Sequence, residues 1–175
     1  LGMDPEKTTV AIEGFGNVGT FTMKFLEKFG FKIVAVSDSK GVVCDKHGLN
    51  FKSLINTKKK KGTVVKHKKT CIPCGRLFSL KVDVLIPGAL PDVIHDDNYK
   101  NIKAKLIVEA ANIPIHHDIE EKLHKKGVLI VPDVIANAGG VISSYAEYKG
   151  YNPRDMFKLV KERITDNVKL ILETA

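Results

Sequence analysis

Cysteine is scarce. The chain has three in 175 residues, an odd number that describes no disulfide framework, and this points to a reducing compartment such as the cytoplasm. No run approaches the roughly 18 uninterrupted apolar residues of a membrane span, and Leu1-Gly2-Met3-Asp4-Pro5 has no signal-peptide pattern. The expectation is a soluble, cytoplasmic protein with no membrane partner. Internal repeats are absent, and the only biased stretch is lysine-rich. Lys58 to Lys61, then Lys66, Lys68 and Lys69, account for much of the net charge of +8. No aromatic residue interleaves them, so they read as a solvated surface and not as a nucleic-acid footprint. The closing segment also lacks something: Met156, Leu159, Val160, Ile164, Val168, Ile171 and Leu172 form an apolar helical stripe, yet no stop signal precedes Thr174-Ala175. Residues 154–175 are therefore expected to be a helix cut short.

What is present is sharper. Gly14-Phe15-Gly16-Asn17-Val18-Gly19 follows the apolar strand Val10-Ala11-Ile12 and opens a helical pattern in which Val18, Phe21, Phe25 and Phe29 recur on one face. That face is expected to pack inward. The motif reads as a pyrophosphate site: the first glycine makes the turn, the second admits the phosphates to the backbone, and the third lets helix and strand approach. Asp38 closes the next apolar run, Ile33-Val34-Ala35-Val36, at the spacing of a ribose-binding acid.

Further along, Val42-Val43-Cys44 and the turn residues Asp45 to Gly48 read as a small hairpin, and a helix is expected from Asn50 toward Lys60. The stretch up to Leu80 is poorly periodic. Beyond it, Val82 to Pro87, Leu106 to Val108 and Val128 to Val131 are buried strands, with a helix carrying Ile119 and Leu123 between the last two. Strands alternating with helices predict an α/β fold, a Rossmann-type doubly wound, mostly parallel sheet with helices on both faces. Length and composition fit one domain over 1–175. The strand ends at Glu13, Asp38, Pro87, Glu109 and Asp133 are expected to face one crevice.

The strings VAIEGFGNVG (Val10 to Gly19), VAVSDSKG (Val34 to Gly41), VDVLIPGAL (Val82 to Leu90), VEAAN (Val108 to Asn112) and VPDVIANAGGVISSY (Val131 to Tyr145) together resemble the nucleotide-binding domain of the glutamate dehydrogenases, within the Glu/Leu/Phe/Val dehydrogenase family. The resemblance covers nearly the whole chain. It implies that Gly14, Gly16, Asn17, Val18 and Gly19 cradle the pyrophosphate of NAD or NADP, that Asp38 and Ser39 meet the adenosine ribose, that Ala89 and Leu90 line the cleft, and that Asn112 and Asn137 hold the nicotinamide end. Val141 and Ser144 would shape the substrate pocket. The reaction implied is reversible oxidative deamination of L-glutamate to 2-oxoglutarate and ammonia. The resemblance places the catalytic residues in a separate N-terminal domain, so none is assigned here, and residues 1–175 are expected to be a fragment inactive alone, from a full-length homohexamer. Ala110 departs from the glycine usual in the family and is tolerable if its φ stays negative.

Asp38 favours NAD because an acid repels a 2′-phosphate, whereas Lys40 offsets that repulsion and admits NADP. Other readings stay open. A leucine, valine or phenylalanine dehydrogenase domain would want an apolar residue at Ser144, and a basic nucleotide- or nucleic-acid-binding Rossmann protein would bind with steep salt dependence. Cys71-Ile72-Pro73-Cys74 near His67, with Cys44 and His47 at a distance, invites zinc, but the spacing supplies no convincing four-ligand set. No metal is expected. His116 and His117 read as surface residues at a helix start, and Glu109 and Asp133 as strand-end carboxylates that either cap backbone or serve the site.

Overall fold

The first strand, β1 (Thr9–Glu13), alternates Val10 and Ile12 toward one side of a sheet and Ala11 toward the other, and all three are fully buried. The computed structural model describes residues 2–68 and 71–174, without the side chains of Cys71, Leu172 and Thr174; Leu1, Lys69 of the lysine run and Ala175 lie outside the described residues. Around β1, the strands β2 (Lys32–Asp38), β3 (Gly41–Cys44), β4 (Cys71–Ile72), β5 (Val84–Pro87), β6 (Leu106–Val108) and β7 (Leu129–Val131) form one sheet in the order β4-β3-β2-β1-β5-β6-β7. β2, β1, β5, β6 and β7 run parallel, and β3 and β4 add an antiparallel edge. The expected doubly wound sheet is present. The order reverses beside β1, which places a crevice above the carboxyl ends of β1 and β5.

Helix α1 (Asn17–Lys28) returns the chain from β1 to β2. Its inward face differs from the one expected. Gly19 and Met23 are buried, whereas Val18, Phe21, Phe25 and Phe29 stand 47 to 67% exposed. The reason is closeness: a Cβ on Gly19 would come within 2.0 Å of the Gly14 carbonyl oxygen. At that closest point only a glycine fits, so Gly19 and, one turn on, Met23 take the inward face and the aromatic row faces away. Helix α2 (Phe51–Lys61) starts as expected, with the Asn50 side chain accepting the Ser53 N–H and Glu27 of α1 accepting the Phe51 N–H. Its lysines fill the last turn, where the helix dipole favours cations.

Helix α3 (His117–Lys125) buries Ile119 and Leu123 against the opposite side of the sheet. After β7 come α4 (Asp133–Ala136), a short helix not read from the sequence, α5 (Gly139–Tyr148) and α6 (Pro153–Thr174). α6 packs on α5 through Val160 and Ile164, each within 3.6 Å of the space where a Gly139 side chain would begin. Ala110 is not among the residues with positive φ, so its methyl is accommodated. β4 and the 3-10 turn Cys74–Ser79 occupy the stretch whose periodicity was too poor to read.

Candidate coenzyme cleft

The larger of the two main clefts, about 590 Å³ over Val84, Ile86, Leu106 and Val108, is apolar and gathers no convergent polar groups. The smaller, about 440 Å³, lies at the sheet's reversal point. It brings together Gly14, Gly16, Asp38, Ser39, Ala89 and Leu90 from the sequence reading, along with Glu13, Lys58 and Cys74. Polar groups converge in the second only.

The loop is built by its glycines. Gly14 sits at φ +91°, where a side chain would strain the backbone, and a Cβ there would lie 2.6 Å from the Ala89 methyl. Its N–H donates to the buried Ser37 hydroxyl at 3.0 Å, pinning the loop to the end of β2. Gly16 is different. Nothing lies within 4 Å of where its Cβ would be, its φ is negative, and no side chain caps the helix it begins. The protein itself has no use for that space. Exposed backbone at an uncapped helix start, with Asn17 and Val18 next along, suits an anion close against the chain.

Glu13 fixes the facing wall. Its Oε2 accepts the N–H groups of Gly88 at 3.0 Å and Ala89 at 2.8 Å, which orients the loop after β5. Burial raises its carboxyl above the ordinary range, and the N–H groups of Ala89, Gly88 and Leu90 offset part of that rise.

Asp38 does not stand open toward a ligand. One oxygen accepts Lys40 N–H and the Thr63 hydroxyl, and the other accepts Lys58 Nζ at 2.6 Å and Val64 N–H at 2.9 Å. Four donors fill a carboxylate's capacity. Burial alone would raise this carboxyl, but Lys58 and the hydrogen bonds from Val64, Lys40 and Thr63 together hold it below the ordinary range. Lys58 was read from the sequence only as part of a solvated run. Its wall position was unreadable, because it depends on α2 folding back beneath the end of β2.

The remaining predicted residues lie elsewhere. Asn112 is exposed after β6, and Asn137 donates from Nδ2 to the Ala111 carbonyl at 2.9 Å, tying the end of α4 to that same loop. Between them Ile113 sits at φ +45°, clamped by Asp133, which accepts its N–H at 2.7 Å, and by Asp92, whose N–H donates to its carbonyl at 3.0 Å. A β-branched residue in that region is strained. Val141 and Ser144 sit exposed on α5, outside the cleft. Asp133 and Glu109 both cap backbone, Glu109 Oε2 accepting the Asp133 N–H at 3.1 Å. His117 begins α3 at the surface as expected. Among the described residues no three His, Cys, Asp or Glu are arranged to hold a metal; the side chain of Cys71 is outside that set. Cys74 instead lines the cleft, its thiol donating to the Asp38 carbonyl at 3.3 Å.

The sequence model of the Glutamate/Leucine/Phenylalanine/Valine dehydrogenase family matches residues 1–175. The chain belongs to this family. Among its members, the glutamate dehydrogenase of Thermotoga maritima is 47% identical over 150 residues, 85% of this chain and 36% of that protein. The NADP-specific glutamate dehydrogenase of Saccharolobus shibatae is 37% identical over 96% of the chain and 41% of its own length, and the NAD-specific enzyme of Staphylococcus aureus is 39% identical over 99% and 41%. A crystal structure of the hetero-hexameric glutamate dehydrogenase of Thermus thermophilus superposes with a TM-score of 0.86 at 25% identity, covering 98% of this chain and 42% of that one. The chain thus spans about two fifths of the length of these family members.

Proposed function

We propose that residues 1–175 are the dinucleotide-binding domain of a glutamate dehydrogenase, and that the cleft between β1, β2 and β5 takes the pyrophosphate and adenosine of NAD or NADP. The open space over Gly16, at an uncapped helix start, carries this reading. When bound, the nicotinamide would accept hydride from L-glutamate in the reversible deamination to 2-oxoglutarate and ammonia. In this proposal the protein's part is positioning. Gly14, Gly16, Asn17, Val18 and Gly19 receive the phosphates; Glu13 holds Ala89 and Leu90 as the facing wall; Asn112 and Asn137 serve the nicotinamide end; Val141 and Ser144 face the substrate held by the remainder of a longer polypeptide. A glutamate substrate is favoured over an apolar one because Ser144 offers a hydroxyl.

Asp38, saturated by Lys40 and by Lys58, Thr63 and Val64 from α2 and the segment after it, is a positioning group for the ribose wall and no repeller of a 2′-phosphate. Ser39 and Lys58 on the same wall leave room for either coenzyme. Residues 1–175 alone bind coenzyme without turnover, since positioning of the substrate supplies much of such catalysis. The longer protein is a cytoplasmic oligomer, for which the hexameric Thermus relative gives support, and no helix among the described residues is long and apolar enough to cross a membrane.

The test is Gly16→Val. Its side chain meets no protein atom within 4 Å at its root, so melting should be unchanged while calorimetry shows coenzyme affinity lowered by about 100-fold, roughly 2.7 kcal/mol. Undiminished binding to the variant would remove the proposal's foundation.

A further inference from the structure

Glu109, at the end of β6, is 1% exposed, and its Oε1 finds no hydrogen-bond donor. Its side-chain neighbour is the carboxylate of Glu120 on α3, another acceptor. Glu109 is buried and the Glu120 side chain is 23% exposed; two acceptor-only groups side by side satisfy each other in only one way, which is for one of them to carry a proton. Among the described residues, Asp133 at the start of α4 also faces Glu109 and is likewise acidic. Among the described residues no lysine or arginine pairs with Glu109 or Glu120; the nearest base is His117, whose Nδ1 lies 3.2 Å from Glu120 Oε2 near the surface.

The position gives the proton a role. Glu109 Oε2 accepts the N–H that begins α4, Asp133 then accepts the N–H of the strained Ile113, and Asn137 at the end of α4 donates back to Ala111. Three bonds thus lace the loop after β6 to α4. We propose that Glu109 and Glu120 share a single proton, and that this proton is the positioning device which keeps Asn112 and Asn137 set for the nicotinamide end of the cleft. Its loss places two like charges in contact and drives α3 from the loop. The inference rests on the coenzyme reading above.

Burial first, and the Glu120 charge next, push the Glu109 carboxyl up to about 8. In the full-length protein, affinity for reduced coenzyme should therefore be flat to about pH 7.5 and fall about tenfold by one pH unit beyond the midpoint, as the competent fraction falls. Binding near pH 8.5 should take up about three quarters of a proton for a midpoint of about 8, read by calorimetry in buffers of different ionisation enthalpy. Glu109→Gln and Glu120→Gln each supply an N–H donor in place of the proton. Either should bind normally at pH 7 and lose both the alkaline fall and the proton uptake. A wild-type protein that binds without proton uptake, or a glutamine variant that keeps the alkaline fall, would overturn the shared proton. Absence of binding at pH 7 would strike the coenzyme reading instead. The two failures are therefore distinct.

Discussion

The two ends of the parallel sheet are built to opposite standards. At the amino ends of the strands, Asp83 Oδ2 accepts the Thr9 N–H at 2.9 Å and the Thr9 hydroxyl at 2.7 Å, while Oδ1 accepts Lys105 Nζ at 2.9 Å. The Thr9 N–H foremost, with Lys105 and the Thr9 hydroxyl, lowers that carboxyl to about 2. Both oxygens of Asp83 are answered. At the carboxyl ends stand an orphaned buried oxygen on Glu109, a left-handed isoleucine, and an empty space over Gly16. The lesson is a division of labour within one layer, in which one end of the strands secures the fold and the other carries local costs of the kind found at functional sites.

Filling space at the carboxyl ends of the strands has the largest expected effect. Gly19→Ala drives a Cβ into the Gly14 carbonyl at 2.0 Å, so the loop must shift. A loss of about 3 kcal/mol is expected, near 10 °C in melting for a chain of this length, along with coenzyme binding. Gly16→Val, in contrast, should spare the fold, and equal melting losses in the two variants would break the distinction between space used by protein and space left for ligand.

Next in size are the opposite pH slopes. Glu109 has a raised pKa, so its contribution to stability is complete below its ordinary value of 4.5 and is lost progressively as pH rises to about 8. Asp83 has a lowered one, so its contribution is present above 3.8 and is lost as pH falls to about 2. Thermal melts of Asp83→Asn should show about 1–3 kcal/mol lost at neutral pH and a flattened acid limb, with the limb between pH 4.5 and 8 intact. If that variant instead flattens the neutral limb, the division fails.

The smallest effect concerns Lys58, which pairs with Asp38 while its side chain remains 29% exposed on the cleft wall. Lys58→Ala leaves the carboxylate unpaired and should weaken NADP several-fold more than NAD, about 1 kcal/mol of difference. Equal losses for both coenzymes would mean that the wall charge does not reach the ribose.

The fold was largely legible because strand runs of four to six apolar residues and the glycine spacing are local signals. The inward face of α1 was not. Periodicity identifies an apolar stripe, yet Gly19 and Met23 hold the interior, because at Gly19 the helix lies so close to β1 that any side chain is excluded and the inward face is set there. The aromatic row left outside is an apolar surface of the kind that marks contact with further structure. At the site, Gly14, Gly16 and Gly19 could be read because turn, approach and packing each demand glycine. Asp38 does end β2, but its partners could not be read, since Lys58, Thr63 and Val64 reach it from 20 to 26 residues away. The Glu109 pairing across to α3 had no sequence signal at all.

The central place of β1 has one more consequence. Its Val10, Ala11 and Ile12 have strand neighbours on both sides and no solvent exposure, so their amides should exchange with deuterium only when the whole molecule opens. The glycine turn hangs directly from that slowest-exchanging segment. Whatever motion the loop has is that of a short tether on a fixed post, so on the proposed reading a visiting phosphate would meet donors that need little rearranging.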